Sequence, residues 1–116
     1  MGIDAGIHIV RDPRGLAISI SPKRWAHVAD GHPEMSARFD DVVETLRNPN
    51  VIQRSTSGQN SQIYFWLKPI DYGKFSSLYL AAVVRIDIDA AVGELRTAYL
   101  VGRLGKGAVL WARRKT

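Results

Sequence analysis

The chain contains no cysteine, and this absence excludes several kinds of chemistry. Disulfide bonds, thiolate metal sites and cysteine nucleophiles all require a residue that the sequence lacks. No run of about 18 apolar residues is present, so the sequence predicts no membrane-spanning helix. The first 15 residues carry no basic segment followed by an apolar stretch, so we expect no secretory signal. A cytoplasmic location is therefore the expectation, although a domain taken from a larger secreted toxin would have the same features.

What the sequence does contain is typical of one packed globular domain. It has 116 residues, of which 46% are hydrophobic and 23% are charged. A chain of this length can bury one hydrophobic core but is too short for two. We find no internal repeat, low-complexity segment or linker, and we expect a single domain over residues 1–116.

The positive charge is concentrated in the C-terminal part of the chain. Residues 1–50 carry six basic and seven acidic residues, whereas residues 51–116 carry ten basic and four acidic residues. This asymmetry favours a nucleic acid, an anionic membrane or an acidic protein as partner. A solvated surface with a basic tail is the alternative interpretation.

The local patterns predict short strands, then two helices, then more strands. Residues 7–10 and 16–20 are strand-like, and Ser21-Pro22 is typical of the start of a helix that ends at Gly31. A second helix is predicted from about residue 35 to 47. Five strand-like segments follow, at residues 51–55, 62–68, 78–86, 94–102 and 108–112. The economical packing is an α+β fold in which two N-terminal helices (residues 21–47) pack on a four- to five-stranded antiparallel sheet (residues 51–112).

Two of the three histidines, His27 and His32, are candidates for acid–base chemistry. On a continuous helix they would lie about 140° apart, but Gly31 and Pro33 end the helix between them and allow His32 to turn back. Histidine titrates near neutral pH, so such a pair suits a general base and a general acid. Alternatively, both residues only cap the helix or form the turn.

The sequence also disfavours a zinc site that would use these histidines. The sequence has no cysteine and no HExxH motif, and the third histidine, His8, lies in an early strand.

The glycine-rich segment 102–107 resembles a phosphate-binding loop only superficially, because a strand follows it instead of a helix. We interpret it as a basic hairpin turn or an ordinary glycine-rich turn.

The predicted strands supply residues that suit RNA. RNA-binding surfaces commonly combine arginine for phosphates with aromatic rings for base stacking. Thr97 and Tyr99 share one face of their strand, and at most one of Tyr64 and Tyr99 is expected to be functional. The predicted RNA-binding set is Arg54, Tyr64, Arg96, Arg103 and Lys106.

The order of these motifs resembles the phage-associated branch of the barnase–EndoU–colicin–RelE (BECR) nuclease superfamily. The similarity covers roughly residues 25 to 111. It rests on a Trp-x-His-x-x-x-x-His-Pro-Glu helix, a second helix ending in Asn-Pro, a strand ending in Val-Val-Arg and a closing Thr-Ala-Tyr strand. The resemblance implies a small ribonuclease that needs no metal or other cofactor, often a toxin held inactive by an antitoxin or immunity protein. It also implies a RelE-like antiparallel sheet that grips RNA.

Carried over by position, the resemblance implies catalytic roles for five residues. His27 and His32 would be the acid–base pair, and Arg85 would stabilise the charge on phosphorus. Thr97 would hydrogen-bond a phosphate oxygen, and Tyr99 would stack on or position a base. Two alternatives remain: a non-catalytic RNA- or protein-binding module, and an effector whose basic surface receives an acidic antitoxin segment.

Overall fold

The N-terminal hairpin and first helix form where the sequence predicts them. The computed structural model describes residues 6–114, and in it strands β1 (His8–Arg11) and β2 (Ala17–Ile20) form an antiparallel hairpin. Helix α1 (Pro22–Gly31) begins directly afterwards. The Ser21 hydroxyl accepts a hydrogen bond from the Arg24 amide, which satisfies one of the free N–H groups of the first turn. The predicted N-cap and proline start are confirmed.

The second helix begins later than predicted. His32 leaves the helical conformation because the following proline disfavours it, and Pro33–Met35 forms a single 3-10 turn. Helix α2 (Phe39–Arg47) starts only after this turn, and it buries one face of four residues: Val42, Val43, Thr45 and Leu46. Among the described residues, neither helix has the length and apolar character needed to cross a membrane.

Five strands follow the helices, and two of them are longer than predicted. The bounds are β3 (Val51–Arg54), β4 (Ser61–Tyr72), β5 (Phe75–Asp87), β6 (Val92–Val101) and β7 (Val109–Ala112). The predicted break at residues 69–74 lies inside the β4–β5 hairpin. Pro69 is tolerated there because the ladder is interrupted between Trp66 and Ile70. Gly73, at a φ of 60°, supplies the turn.

The strands form one mixed seven-stranded sheet in the order β1-β2-β6-β5-β4-β3-β7. The expected four- to five-stranded antiparallel, RelE-like sheet with two packed helices is therefore wrong. Strands β3 to β6 form the predicted antiparallel meander, but β2 joins it by parallel pairing of Ala17–Ser19 with Val92–Glu94. Strand β7 lies beside β3 and not beside β6. Parallel pairing joins segments that are distant in sequence, so no local pattern signals it.

The main core lies between the helices and one face of the sheet. Its fully buried members include Ile18 and Ile20 of β2, Met35, and Leu46 of α2. From the strands, the same core receives alternate residues, among them Ile52, Tyr64, Leu80, Ala82, Val84, Leu95 and Ala98. These positions fix which side chains of each strand face the helices and which face away.

A buried polar cluster ties the β1–β2 turn to strand β4. The Asp12 carboxylate accepts hydrogen bonds from the Tyr64 hydroxyl at 2.6 Å and from Nη2 of Arg14 at 3.0 Å. It also accepts the backbone N–H groups of Arg14 and Leu16. Nη2 of Arg14 reaches the amide oxygen of Gln62 as well. Strands β6 and β5 separate β2 from β4 in the sheet, so this contact joins two parts of the molecule that are not neighbours in strand order.

Candidate functional site

The sheet face opposite the helices, which we call the outer face, carries the predicted catalytic strand residues. The strand register places Thr97 beside Val83, and Tyr99 beside Ala81. Around Tyr99 lies a second apolar cluster built from strand residues alone: Val51, Ile63, Phe65, Leu67, Ala81 and Val101. Thr97 and Tyr99 therefore lie next to each other on an apolar platform, on the same side of β6.

Helix α1 occupies the edge of β6 that β2 leaves open. Parallel pairing between β2 and β6 ends at Glu94, and from there α1 and the 3-10 turn contact β6. Nη1 of Arg24, near the start of α1, donates to the Arg96 carbonyl at 3.3 Å. At the other end, the His32 ring lies 5.5 Å from the Tyr99 ring at an angle of 41°. The helix thus runs alongside the C-terminal half of β6.

His32 has a partly buried imidazole with one nitrogen beside a carboxylate. Its side chain is 39% exposed, and Nδ1 lies 3.6 Å from Oε2 of Glu34. A carboxylate beside Nδ1 favours the imidazole orientation that directs Nε2 elsewhere. Glu34 is a residue for which the sequence predicted no role. The signal that could have found it is its position two residues after a candidate histidine, across a proline.

His27 is exposed on the same side of α1 as Arg24. Residues three apart on a helix are neighbours on its surface, and Arg24 is the one of the two that hydrogen-bonds to β6. The helix ends at Gly31, between the two histidines, as predicted. The ring contact with Tyr99 belongs to His32, whereas His27 is exposed on α1, one helical turn after Arg24.

The environment of Tyr99 changes the acidity of its hydroxyl. Burial raises the pKa of Tyr99 above its usual value, because the charged phenolate would lose hydration. At neutral pH the hydroxyl carries its proton, as an ordinary tyrosine does, and is available as a hydrogen-bond donor. Thr97, two residues earlier and half-buried, adds a second hydroxyl on the same face.

Arg85 lies on the outer face beyond Thr97. It is exposed, and its register partners are Glu94 on β6 and Ser61 on β4. Since it is four residues from Ala81, the partner of Tyr99, its Cα lies about 13 Å along the strand from the Tyr99 level. The structure thus places Arg85 on the same face as Thr97 and Tyr99 but at one end of it.

Arg96 forms an ion pair at the surface, and its contact with RNA stays a prediction. A register shift between Val83 and Val84 leaves Arg96 as the extra residue of a β-bulge. Its Nη1 lies 3.0 Å from Oε1 of Glu94, an ion pair between two largely exposed side chains.

Arg54 is exposed at the end of β3, and together with Arg85 it lines a cavity of about 1540 Å³.

The basic segment 102–107 is not a hairpin turn. Strands β6 and β7 are separated in the sheet by β5, β4 and β3, so the connection has to cross the sheet. Gly105 approaches the buried amide of Gln53, and a Cβ at Gly107 would lie 1.7 Å from the Arg54 carbonyl oxygen. Glycine is therefore required by this close approach to β3. Two side chains of the connection, Arg103 and Lys106, are exposed.

Tyr64 does not belong to an RNA-binding surface. Its side chain is fully buried on the helix side of β4, and its hydroxyl is held by Asp12 and Arg14. The predicted role in base recognition is wrong because no ring face is exposed for stacking. The strands of this sheet have apolar residues on both sides, so alternation alone does not tell which side receives the helices.

Comparison with known proteins adds no assignment. Over residues 6–114, the His, Asp and Glu side chains form no group of three or more that could hold a metal ion. The seven-stranded mixed sheet departs from the architecture that the resemblance implied. The chain matches no family model, no curated protein and no solved structure.

Proposed function

We propose that this protein is a metal-independent endoribonuclease, as the order of its sequence motifs implies. The observation that carries the proposal is the contact between His32 and Tyr99, 5.5 Å apart, on the β6 edge beside Thr97. A histidine beside a tyrosine hydroxyl and a threonine hydroxyl can hydrogen-bond a phosphodiester group and remove the proton of a neighbouring ribose 2′-OH. Arg85 adds positive charge at the end of the same face.

The proposed reaction is an internal transesterification of RNA. One histidine removes the proton from the ribose 2′-OH, and the 2′ oxygen forms a bond to phosphorus. The bond between phosphorus and the 5′ oxygen breaks, and the other histidine donates a proton to that oxygen. The products are a 2′,3′-cyclic phosphate and a free 5′-OH. Arg85 stabilises the additional negative charge on the phosphate oxygens during this step.

The remaining residues of the site orient these groups. Glu34 beside Nδ1 of His32 favours the presentation of Nε2 to the substrate. The Tyr99 hydroxyl donates a hydrogen bond, or its ring supports a base. Thr97 donates to a phosphate oxygen. Arg103 and Lys106, on the connection that crosses the sheet, contribute charge for the RNA backbone.

A cytoplasmic toxin is the cellular role that we propose. The concentration of basic residues in the second part of the chain suits both RNA and an acidic antitoxin or immunity protein. Expression of the protein alone is expected to arrest growth. Co-expression of a cognate acidic protein is expected to relieve the arrest, and the His32→Ala variant should not cause it.

The direct test is incubation of the purified protein with total RNA in the presence of EDTA, followed by mapping of the ends. We expect cyclic phosphates at the new 3′ ends. His27→Ala and His32→Ala should each lower the cleavage rate by about 10²- to 10⁴-fold, the usual contribution of one general acid or base. His8→Ala is the matched control, because His8 lies on β1. Wild-type rates in both variants, or a requirement for a divalent ion, would refute the proposal.

A non-catalytic RNA-binding module is the second candidate. It is favoured by one observation, which is that Nδ1 of His32 lies 3.6 Å from Oε2 of Glu34 within the turn that follows α1. In this candidate the His32 imidazole stabilises the turn and takes no part in cleavage. RNA binding that weakens with salt, without any cleavage product, would select this candidate.

A further inference from the structure

A large cavity lies at the end of the outer face, next to the proposed catalytic residues. We call it the end cavity, and its volume is about 1540 Å³. The β3–β4 loop, residues 55–60, forms one side, and the β5–β6 turn forms another. Between them runs a continuous row of register partners across five strands, which consists of Ile9, Ser19, Glu94, Arg85 and Ser61.

We propose that the end cavity binds bases of the RNA strand that leads to the cleaved bond. The inference rests on the proposed ribonuclease function and extends it by naming where sequence preference arises. Small-ligand sites usually enclose about 300–1,000 Å³, so this cavity is large enough for more than one nucleotide unit. Its size favours a segment of a polymer over a single small molecule.

The cavity has an apolar wall that is otherwise unexplained. Ile9, Ile88 and Val92 are 57%, 63% and 42% exposed, and all three line the end cavity. Large aliphatic side chains at a soluble surface are costly when they cluster, and a cluster inside a cavity indicates a partner. The flat face of a base packs well against such side chains, as it does in pockets that accept extruded bases.

The opposite side of the cavity is a preformed loop that carries amide side chains. The Ser55 amide donates to the Ser61 carbonyl at 2.9 Å, and the Ile86 amide donates to the Asn60 carbonyl at 2.7 Å. These bonds fix the loop before any ligand binds, which lowers the entropic cost of binding. Gln59 and Asn60 are exposed at its end. Their amide groups offer both donors and acceptors, as the edges of bases require.

The charges of the cavity suit a base in its interior and phosphates at its arginine side. Arg54 and Arg85 line it together with three carboxylates, those of Asp87, Asp89 and Glu94. A phosphate pocket would not contain more acidic than basic groups. The carboxylates can instead accept hydrogen bonds from exocyclic amino groups, as acidic side chains do with cytosine. The arginines are then free to contact the phosphates of the same strand.

The position of the cavity connects it to the catalytic residues. Arg85 belongs both to the floor of the cavity and to the outer face that carries Thr97 and Tyr99. The distance from Arg85 to the Tyr99 level, about 13 Å along the strand, is one that a short single strand can bridge. An RNA strand whose sugar lies at His32 therefore extends its neighbouring bases into the end cavity.

The test uses RNA that cannot be cleaved. Tetranucleotides of A, C, G or U with 2′-O-methyl groups are titrated into the wild-type protein, and amide NMR shifts are followed. We expect shifts at Asn60, Ile88 and Glu94, larger for one base than for the others. Shifts confined to the region of His32 and Tyr99, or no shifts in the cavity, would refute the inference and leave the cavity to a protein partner.

Two variants and a matched control separate base binding from general effects. Asn60→Gly removes the amide group but keeps the backbone, because Asn60 has a φ of 60°, which glycine adopts readily. Ile88→Ser removes part of the apolar wall, and Phe75→Ser changes an equally exposed side chain at a distant hairpin tip. We expect the two cavity variants to weaken binding of the preferred tetranucleotide by about fivefold or more, and Phe75→Ser to leave it unchanged.

Failure of this inference and failure of the proposed function give different results. If the protein does not cleave total RNA but the cavity shifts appear, the ribonuclease proposal falls and base binding stands. If cleavage occurs and both cavity variants bind and cut as the wild type does, the cavity does not read the bases. Equal weakening by Phe75→Ser would also refute a specific role for the cavity.

Discussion

Replacing Tyr64 with phenylalanine removes a single buried hydroxyl and should destabilise the protein without affecting RNA. The hydroxyl donates to the Asp12 carboxylate at 2.6 Å and accepts from Nη2 of Arg14 at 2.9 Å. A hydrogen bond to a charged group contributes about 1.5–3 kcal/mol to stability. Because Asp12 keeps its two bonds from the Arg14 guanidinium, we expect a loss of about 2 kcal/mol in the free energy of unfolding.

The loss can be measured by urea and thermal unfolding. For a chain of 116 residues, a change of 1 kcal/mol shifts the Tm by about 4 °C, so the Tm should fall by about 8 °C. Tyr72→Phe is the control, because Tyr72 is 46% exposed at the tip of the β4–β5 hairpin. RNA affinity, measured well below the Tm, should not change in Tyr64→Phe. A change in unfolding free energy below about 0.5 kcal/mol would refute the reasoning, since surface substitutions alone produce that much.

Alkaline pH provides a second measurement on the same hydroxyl. Burial and the hydrogen bond to Asp12 raise the pKa of Tyr64 well above its usual value of 10.0. The unfolded chain then releases this proton at a lower pH than the folded protein does, so stability is fully present below about pH 10 and falls as the pH rises further. Tyr64→Phe should show a shallower decline above pH 10. Parallel declines in the two proteins would assign the effect to other groups.

Two further predictions concern the connection between β6 and β7. Gly107→Ala places a Cβ 1.7 Å from the Arg54 carbonyl oxygen, so we expect a loss of roughly 1–3 kcal/mol in urea unfolding, whereas Gly102→Ala, which meets no atom within 4 Å, should change little. Similar losses in both variants would contradict the close approach to β3. Replacing Arg103 and Lys106 together with glutamine should weaken RNA binding and reduce the slope of log affinity against log salt by about 0.7 for each lost phosphate contact. An unchanged slope would exclude these side chains from the backbone interface.

Local signals in the sequence predicted the elements well, for a physical reason. The N-cap at Ser21 and the proline after it act within one helical turn, so the start of α1 can be predicted without any knowledge of the fold. The strand-like segments also lie where the structure has strands, except that the β4–β5 hairpin continues through Pro69. The placement of His32 at the end of α1 follows from Pro33, which is again a neighbour in sequence.

The arrangement of the elements could not be predicted in the same way. Parallel pairing of β2 with β6, and the position of β7 beside β3, depend on contacts between distant segments. The buried position of Tyr64 also has no local signal, because its neighbours Ile63 and Phe65 are apolar too and pack on the other face. Only the partner Asp12, which is 52 residues away in the chain, makes the burial of this hydroxyl favourable.

The incorrectly predicted part of the sheet is also what assembles the candidate site. If β2 paired along the whole of β6, the edge beyond Glu94 would be filled by a strand and α1 could not lie against it. Pairing stops there, and the Arg96 carbonyl, at the β-bulge, accepts a hydrogen bond from Nη1 of Arg24. The helix is then held along β6, and its last turn brings His32 to the Tyr99 ring. A sequence reading can therefore identify His32 and Tyr99 as candidates, but their contact depends on where a parallel ladder ends.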